Sequence, residues 1–208
     1  MLAYYDANLD DYDDGMARWH PWTVSETNPD HRYTDFRGLP RQSVLENLED
    51  VRPLAGTEGA EAALDFLIWA NAEGGTFETN DFGMKPPHPN TSRASPMALQ
   101  QSARVSVFFR DLERNVPLRR LEGFGRILET ELKAVDPLFN AACWGWCLWA
   151  HGFAALKAQG RPSCEVLGST LCLYLWAWGD TADEVNLAFK RAFENLRNAL
   201  QTAAAKFQ

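Results

Sequence analysis

The sequence predicts an all-α fold: a single-domain helical bundle of about seven helices, preceded by an irregular N-terminal arm. Two observations lead to this prediction. After residue 40, apolar residues recur every three or four positions, which is the period of an amphipathic helix. Capping residues, prolines and glycines interrupt these stripes where helices are expected to begin and end. The chain has 208 residues and is 46% hydrophobic, which is enough to bury one core.

The first 40 residues follow a different pattern. They show neither a helical nor a strand period, and they are rich in Asp, Pro and Gly. They also carry seven aromatic residues, whereas disordered tails are usually poor in aromatics. We therefore expect 1–40 to form an irregular acidic and aromatic arm that packs on the rest of the chain or on a partner, and 41–208 to form the bundle domain.

The helices of the bundle are predicted in order from their caps and stripes. Thr57 is positioned to cap the second helix, and Thr181 with Glu184 forms a capping box for the last one. Between residues 75 and 95, three prolines and the lack of a period predict an ordered loop. The helices are expected at approximately 44–51, 57–74, 95–115, 118–136, 137–158, 163–178 and 181–203.

Two of these segments, 137–158 and 163–178, are apolar nearly all round, which indicates helices at the centre of the bundle. The uncharged run 137–156 is long enough to span a membrane, but Asn140, His151 and two glycines interrupt it. We therefore expect buried helices and no membrane contact. Five of the eight tryptophans lie in these two segments, where they fill the core or, alternatively, line a ligand pocket.

The formal net charge of −8 is concentrated at the front of the chain. Residues 1–60 hold twelve acids and five arginines, a net charge of −7. Such a field repels nucleic acid and anionic membranes and attracts basic partners. The N-terminus lacks the basic and apolar regions of a secretory signal. The sequence thus favours a cytoplasmic protein with free thiols.

Residues 104–126 hold a local excess of arginines over acids. Arg110 and Arg114 share one face of the predicted helix, and they are candidates for a phosphate or nucleic-acid surface. The segment has no DNA-binding motif, and the sequence pI is about 5.0, so we expect no nucleic-acid partner. We expect instead that the acidic arm or the 76–81 segment docks on this arginine face.

Cys143, Cys147 and His151 are spaced at i, i+4 and i+8 and would share one stripe of a helix. With Cys164 or Cys172 they would complete a Cys3His zinc site. Structural zinc usually takes its thiolates from short turns, which an apolar helix does not provide. Core packing is therefore favoured over metal binding, and the sequence predicts neither a metal nor a cofactor. The acidic run near residue 10 lacks the glutamate that closes a calcium-binding loop.

The leading functional hypothesis is a non-catalytic protein-interaction module. An immunity or inhibitor protein that binds and neutralises a basic partner, such as a toxin, has this physical character: it is small, acidic and without chemistry of its own. Aromatic anchors supply buried area, and the surrounding carboxylates steer the encounter. The candidate partner-binding residues are Asp10, Asp11, Tyr12, Asp13, Asp14, Trp19 and Trp22.

The alternative is a small-molecule-binding protein or a hydrolase-type enzyme. The sequence lacks the nucleophile-elbow, zinc-protease, P-loop and dinucleotide-binding motifs, which favours the non-catalytic hypothesis. Loops nevertheless often carry catalytic groups, and the arm and the 75–95 loop both contain histidines and carboxylates. If arm and loop meet in space, they form a His/carboxylate acid–base site. Its candidate residues are His20, His31, Asp35, Glu78, Asp81 and His88.

Overall fold

A mixed β-sheet organises this chain. The computed structural model describes residues 1–11, 18–21, 34–92 and 94–207. Within them, seven strands form one sheet and helices pack against it, so the predicted all-α bundle of about seven helices is wrong. Of the predicted site residues, Tyr12, Asp13, Asp14, Trp22 and His31 lie outside the described residues.

Seven strands and five α-helices follow one another along the described part of the chain. The strands are β1 (Leu2–Tyr5), β2 (Arg18–His20), β3 (Phe77–Met84), β4 (His88–Pro89), β5 (Leu99–Phe109), β6 (Ala142–Phe153) and β7 (Leu167–Gly179). The helices are α1 (Arg41–Glu46), α2 (Glu58–Ala70), α3 (Arg120–Val135), α4 (Ala154–Ala158) and α5 (Ala182–Lys206).

The sheet is antiparallel at its centre and parallel at one edge. Its strand order is β1-β6-β7-β5-β3, with β2 also pairing with β6 and β4 with β5. Strands β6, β7, β5 and β3 are antiparallel neighbours, whereas β1 and β2 both run parallel to β6. The described part of the N-terminal chain thus follows one edge of β6, from Leu2 opposite Cys143 to His20 opposite Phe153.

Helices α2, α3 and α5 pack against one side of this sheet, which we call the helix face. Alternate residues of the central strands point into it, because side chains alternate along a strand. Helix α5 lies across the core, with Phe189 and Phe193 buried against the sheet. The buried strand residues of this face include Trp144, Trp146, Leu148, Leu171, Leu173, Leu175, Val105 and Val107.

The helices predicted from clear stripes and caps are present. Helices α2, α3 and α5 fall within the predicted segments 57–74, 118–136 and 181–203, except for the last three residues of α5. Thr57 caps α2 by accepting a hydrogen bond from the backbone N–H of Ala60. Thr181 and Glu184 form the complete capping box at the start of α5. The cap signals were therefore reliable where the stripe was amphipathic.

Three predicted helices are strands instead. Segment 95–115 contains β5, segment 137–158 contains β6 and the short α4, and segment 163–178 lies largely within β7. The predicted loop at 75–95 contains β3 and β4. Strands β6 and β7 are central and buried on both faces, so their sequences read as continuous apolar runs that periodicity does not separate from buried helices.

The two uncharged runs that prompted a membrane test belong mainly to β6 and β7. None of the helices in the described part of the chain combines the length and the apolar character needed to cross a bilayer.

Candidate functional site

The side of the sheet opposite the helix face carries most of the buried polar groups of the central strands; we call it the second face. Ser106 of β5 and Thr170 of β7 are fully buried there, and the Ser106 hydroxyl donates a 2.8 Å hydrogen bond to Thr170 Oγ1. His151 of β6 is also buried on this face, 3.4 Å from the same hydroxyl. The second face therefore carries a buried layer of hydrogen-bonded polar side chains.

A β-bulge in β3 directs polar side chains to the second face. The register pairs Thr79 with Val107 and then Asp81 with Ser106, so Asn80 is the extra residue. Without the bulge, Asp81 would face the helix-covered core, because side chains alternate along a strand. The bulge thus keeps a carboxylate out of the apolar layer and places Asn80 beside His151.

His151 is held in its neutral form within this layer. Asn80 Nδ2 lies 3.0 Å from His151 Nε2, and because an amide nitrogen is a donor, Nε2 must accept. The proton of the neutral ring is then on Nδ1, which faces the carbonyl of Trp149 and the hydroxyl of Thr170, each at 3.4 Å. Burial lowers the pKa of His151 to about 3. This histidine is a structural part of the polar layer.

The arm and β3 meet at the end of the second face, in what we call the polar cluster: His20, Asp35, Arg37, Glu78 and Arg110. His20 Nε2 lies 3.9 Å from Glu78 Oε2, and both side chains are buried. Arg37 Nη1 and Arg110 Nε lie 3.7 and 3.6 Å from Glu78 Oε1, and Arg37 also pairs with Asp35. The cluster ties the N-terminal segment to the sheet through one buried carboxylate.

The environment drives both His20 and Glu78 toward their neutral forms. Burial lowers the pKa of His20 to about 4, and the charge of Arg37 adds to this effect. Burial also raises the pKa of Glu78, against the opposing charges of Arg37 and Arg110. The His20 ring packs edge-on against Phe108, with ring centroids 4.7 Å apart. Desolvation is thus the main electrostatic influence at this pair.

The structure brings together only part of the predicted His/carboxylate site. His20, Asp35 and Glu78 belong to the polar cluster. Asp81 instead pairs with Arg104, at 2.6 Å from its Nε. His88 is in β4 opposite Gln100, at the other end of β5 from the cluster. Sequence reasoning did not assign Arg37, Asn80 or Arg110 to this site.

Two arginines of the 104–126 segment pair with carboxylates of β3. The sequence predicted that the acidic arm or the 76–81 segment would dock on these arginines. Glu78 lies beside Arg110, and Asp81 lies beside Arg104. Arg114 lies elsewhere: its guanidinium stacks on the Phe109 ring and donates a 2.7 Å hydrogen bond to the carbonyl of Phe207. These contacts result from β3–β5 pairing and not from a helix surface.

The described members of the predicted partner-binding set lie along the β6 edge. Asp10 is engaged within the chain: it accepts a 2.8 Å hydrogen bond from the backbone N–H of Leu148 and another from the Tyr5 hydroxyl. Asp11 is exposed and forms a β-bridge with Trp149. Trp19 is 39% exposed, with its ring against Gly152 and the Lys157 ammonium 4.7 Å from its centroid.

Exposed hydrophobic side chains concentrate near β1. Of the seven large hydrophobic residues exposed in the described part of the chain, five form what we call the edge patch: Leu2, Tyr4, Leu9, Val135 and Leu138. Val135 and Leu138 flank Asp136, whose carbonyl accepts a hydrogen bond from the Met1 amino group. The remaining two are Trp19 and Leu187. Exposed apolar side chains that concentrate in one region of a surface often mark interaction sites.

Three thiols lie in the sheet. Cys143 and Cys147 are on β6, and Cys147 is directly opposite Cys172 on β7. Burial raises the pKa of Cys143 to about 12, and the side-chain hydrogen bond with Cys172, together with burial, raises that of Cys147. In the described residues, no three His, Cys, Asp or Glu side chains come together as metal ligands.

Comparisons with protein-family models, with curated proteins and with solved structures give no match for this chain. Its function is therefore inferred from the residues themselves.

Proposed function

We propose that this chain is a non-catalytic protein-interaction module that binds a basic partner protein through the edge patch. The observation that carries this proposal is the concentration of exposed hydrophobic residues at one edge of the sheet. Leu138 is 91% exposed, Leu2 63% and Tyr4 42%. Keeping such side chains in water is unfavourable, and burying them against a partner contributes about 25 cal/mol for each Å² of apolar surface.

The charge around the edge patch favours a basic partner. Asp6 and Asp11 lie between Tyr4 and β2, and the whole chain carries a net charge of −8. Farther along the edge the character changes, because Arg18 stacks on Trp149 and Lys157 on Trp19. The proposed contact is therefore centred on β1, where carboxylates increase the rate of encounter with a cationic surface.

An immunity or inhibitor protein of the cytoplasm is the specific role we propose. Such a protein needs a rigid surface and no reactive groups. The buried pair His20 and Glu78, which the environment drives toward the neutral forms, and the three buried thiols of the sheet are consistent with that requirement. A basic toxin is the partner that this chemistry favours.

Photocrosslinking tests the proposal. A benzoylphenylalanine is placed at Tyr4 or at Leu138, and in the control at Leu187, an exposed leucine of α5. We expect both edge positions, and not position 187, to crosslink to the same basic protein. The purified partner is then titrated against the unmodified chain, Tyr4→Ala and the control Leu187→Ala. Tyr4→Ala is expected to weaken binding about tenfold, typical of an aromatic anchor.

Three results would contradict the proposal: an acidic partner, crosslinking from position 187 alone, or equal affinity of the Tyr4→Ala and unmodified chains. The salt dependence provides a separate check, since steering by carboxylates predicts an association rate that falls as ionic strength rises.

A His/carboxylate small-molecule site is the second candidate, and the 3.9 Å approach of His20 to Glu78 favours it. Thermal-shift screening of metabolites tests this alternative. A stabilising compound whose effect disappears in His20→Gln and persists in His88→Gln would support it, because His88 lies outside the polar cluster. If no metabolite raises the melting temperature, the result contradicts this alternative.

A further inference from the structure

A cavity of about 300 Å³ opens on the second face, away from the polar cluster and next to Tyr4 of the edge patch, which stacks on one of its lining residues. Tyr174 and Trp176 of β7 form part of its lining, together with Met84, Lys85, Arg104 and Asp50. The volume is at the lower limit for small-molecule sites, which are mostly apolar with a few polar groups that fix orientation. We propose that this cavity binds a small planar molecule that carries a single negative charge.

The aromatic wall is held in place by the sheet. Trp176 stacks with Tyr174, with centroids 6.0 Å apart and planes 17° apart, and with Tyr4 of β1 at 6.3 Å and 11°. Gly145 lies beneath the stack, since a Cβ there would come 3.0 Å from the Trp176 ring and 3.4 Å from that of Tyr4. The rings are therefore ordered before a ligand arrives, which lowers the entropic cost of stacking a planar group.

Two cations, Lys85 and Arg104, lie in the lining of the cavity and can pair with a negatively charged group of a ligand. Lys85 is exposed, and its backbone N–H donates to the carbonyl of Ser102, which fixes its position beside β5. Asp81 engages Nε and Nη2 of Arg104, so Nη1 is the guanidinium nitrogen that this carboxylate does not engage. An ammonium and a guanidinium favour a ligand that carries a carboxylate group, because hydrogen bonds between ionised partners are strong.

Asp50 limits the charge that the cavity accepts. Its carboxylate is exposed and lies 3.8 Å from where a Cβ on Gly83 would be, on the side of β3 that carries Lys85. A dianion would experience this repulsion twice as strongly as a monoanion. The same carboxylate can accept a hydrogen bond from an N–H on the ligand ring. A planar monoanion with an N–H donor therefore satisfies each group of the lining.

Isothermal titration of the full chain with indole-3-acetate tests the proposal, with uncharged indole-3-ethanol as the matched probe. We expect one site and weaker binding of the alcohol. Trp176→Ala should weaken indole-3-acetate binding about tenfold through lost stacking. Lys85→Gln should weaken indole-3-acetate binding about threefold. Because Lys85 is exposed, this variant tests the site even if Trp176→Ala fails to fold. Lys133→Gln on α3 serves as the control and should have no effect.

A second ligand tests the role of Asp50 separately. Adenosine 5′-monophosphate, a dianion, should bind more tightly to Asp50→Asn than to the unmodified chain. The proposal is overturned if indole-3-acetate binds with a dissociation constant above about 1 mM. It is also overturned if Lys85→Gln and Lys133→Gln have the same affinity. Neither result depends on the partner proposed for the edge patch.

Discussion

Gly125 of α3 lies directly against the indole of Trp146 in β6. A Cβ on Gly125 would come within 2.7 Å of the Trp146 ring, so no side chain fits without displacing it. Both residues are buried. We expect Gly125→Ala to lower the free energy of unfolding by about 1–3 kcal/mol, because overpacking outweighs the gain in helix propensity. Urea denaturation measures the change.

Gly123, two residues earlier in the same helix, is the matched control. It is exposed, and a Cβ there would lie 3.7 Å from the nearest atom, on Phe207. Gly123→Ala should raise the free energy of unfolding by up to about 1 kcal/mol through helix propensity alone. Equal effects of the two substitutions would contradict the close packing of α3 on β6.

The thiols should separate into one reactive and three protected groups. Cys164 is exposed, whereas Cys143, Cys147 and Cys172 are buried in the sheet. The thiolate is the reactive species, and burial raises the pKa of Cys143 to about 12. We expect a thiol-specific disulfide reagent to titrate one group per native chain and four in denaturant. In Cys164→Ser, fast reaction of any thiol in the native state would contradict the burial of the sheet cysteines.

Stability should fall as the pH drops below neutrality. Burial lowers the folded-state pKa of His20 to about 4 and that of His151 to about 3, from an ordinary value near 6.5. Between these values the unfolded chain binds more protons than the folded chain, so acidification favours unfolding. Each histidine changes the free energy of unfolding by at most about 1.4 kcal/mol per pH unit. Glu78, whose pKa is raised, partly offsets this loss at the acidic end.

Urea unfolding between pH 7.5 and pH 4.5 measures this dependence. His20→Gln should reduce the slope of stability against pH, whatever its effect on stability at pH 7.5. His88→Gln is the control, because His88 lies on β4 away from the polar cluster. Unchanged slopes in His20→Gln and His151→Gln would contradict the neutral burial of both rings.

Asp10 should matter for folding more than for binding. Its carboxylate accepts hydrogen bonds from the Leu148 backbone and from the Tyr5 hydroxyl. Asp10→Ala leaves a buried N–H without its acceptor, so we expect a loss of about 1–3 kcal/mol of unfolding free energy. Tyr5→Phe removes only one of the two bonds and should cost less. Asp50→Ala, at an exposed site, is expected to change stability by less than about 0.5 kcal/mol.

The amphipathic helices could be predicted from sequence because local signals determine them. The Thr181 and Glu184 capping box and the stripe through Val185, Phe189 and Phe193 are both encoded within α5. Strand β6 has no such contrast, because the helix layer covers one of its faces while His151, Cys147 and Phe153 are buried on the other. The spacing of the tryptophans in β6 does not distinguish a strand period from a helical period either. Tertiary burial, and not local preference, decides this segment.

One predicted group of side chains is correct, although the secondary structure predicted for it is wrong. Cys143, Cys147 and His151 share one face, as predicted, because a spacing of four residues keeps side chains together on a helix and is also even on a strand. The same coincidence made Leu99, Ala103 and Val107 of β5 resemble a helical stripe. The alternation of Val105, Val107 and Phe109 was the available strand signal.

The candidate sites were predicted in part. The idea that arm and loop meet placed His20 with Glu78, which lie 3.9 Å apart. Arg37 and Asn80 could not have been assigned in this way. Arg37 reaches Glu78 only because the chain before α1 returns to the end of β3, and Asn80 reaches His151 only through a β-bulge. The exposure of Leu138 likewise follows from the packing of its neighbours.

The parallel pairing of β1 with β6 also sets an order of assembly. Leu2 leaves the ribosome long before its partner Cys143, because 140 residues lie between them in the chain. Closing a loop of that length is entropically costly until the rest of the sheet exists to receive it. Strand β1 is therefore among the last of the described strands to dock, and its side chains stay exposed to solvent and to chaperones until β6 has been synthesised.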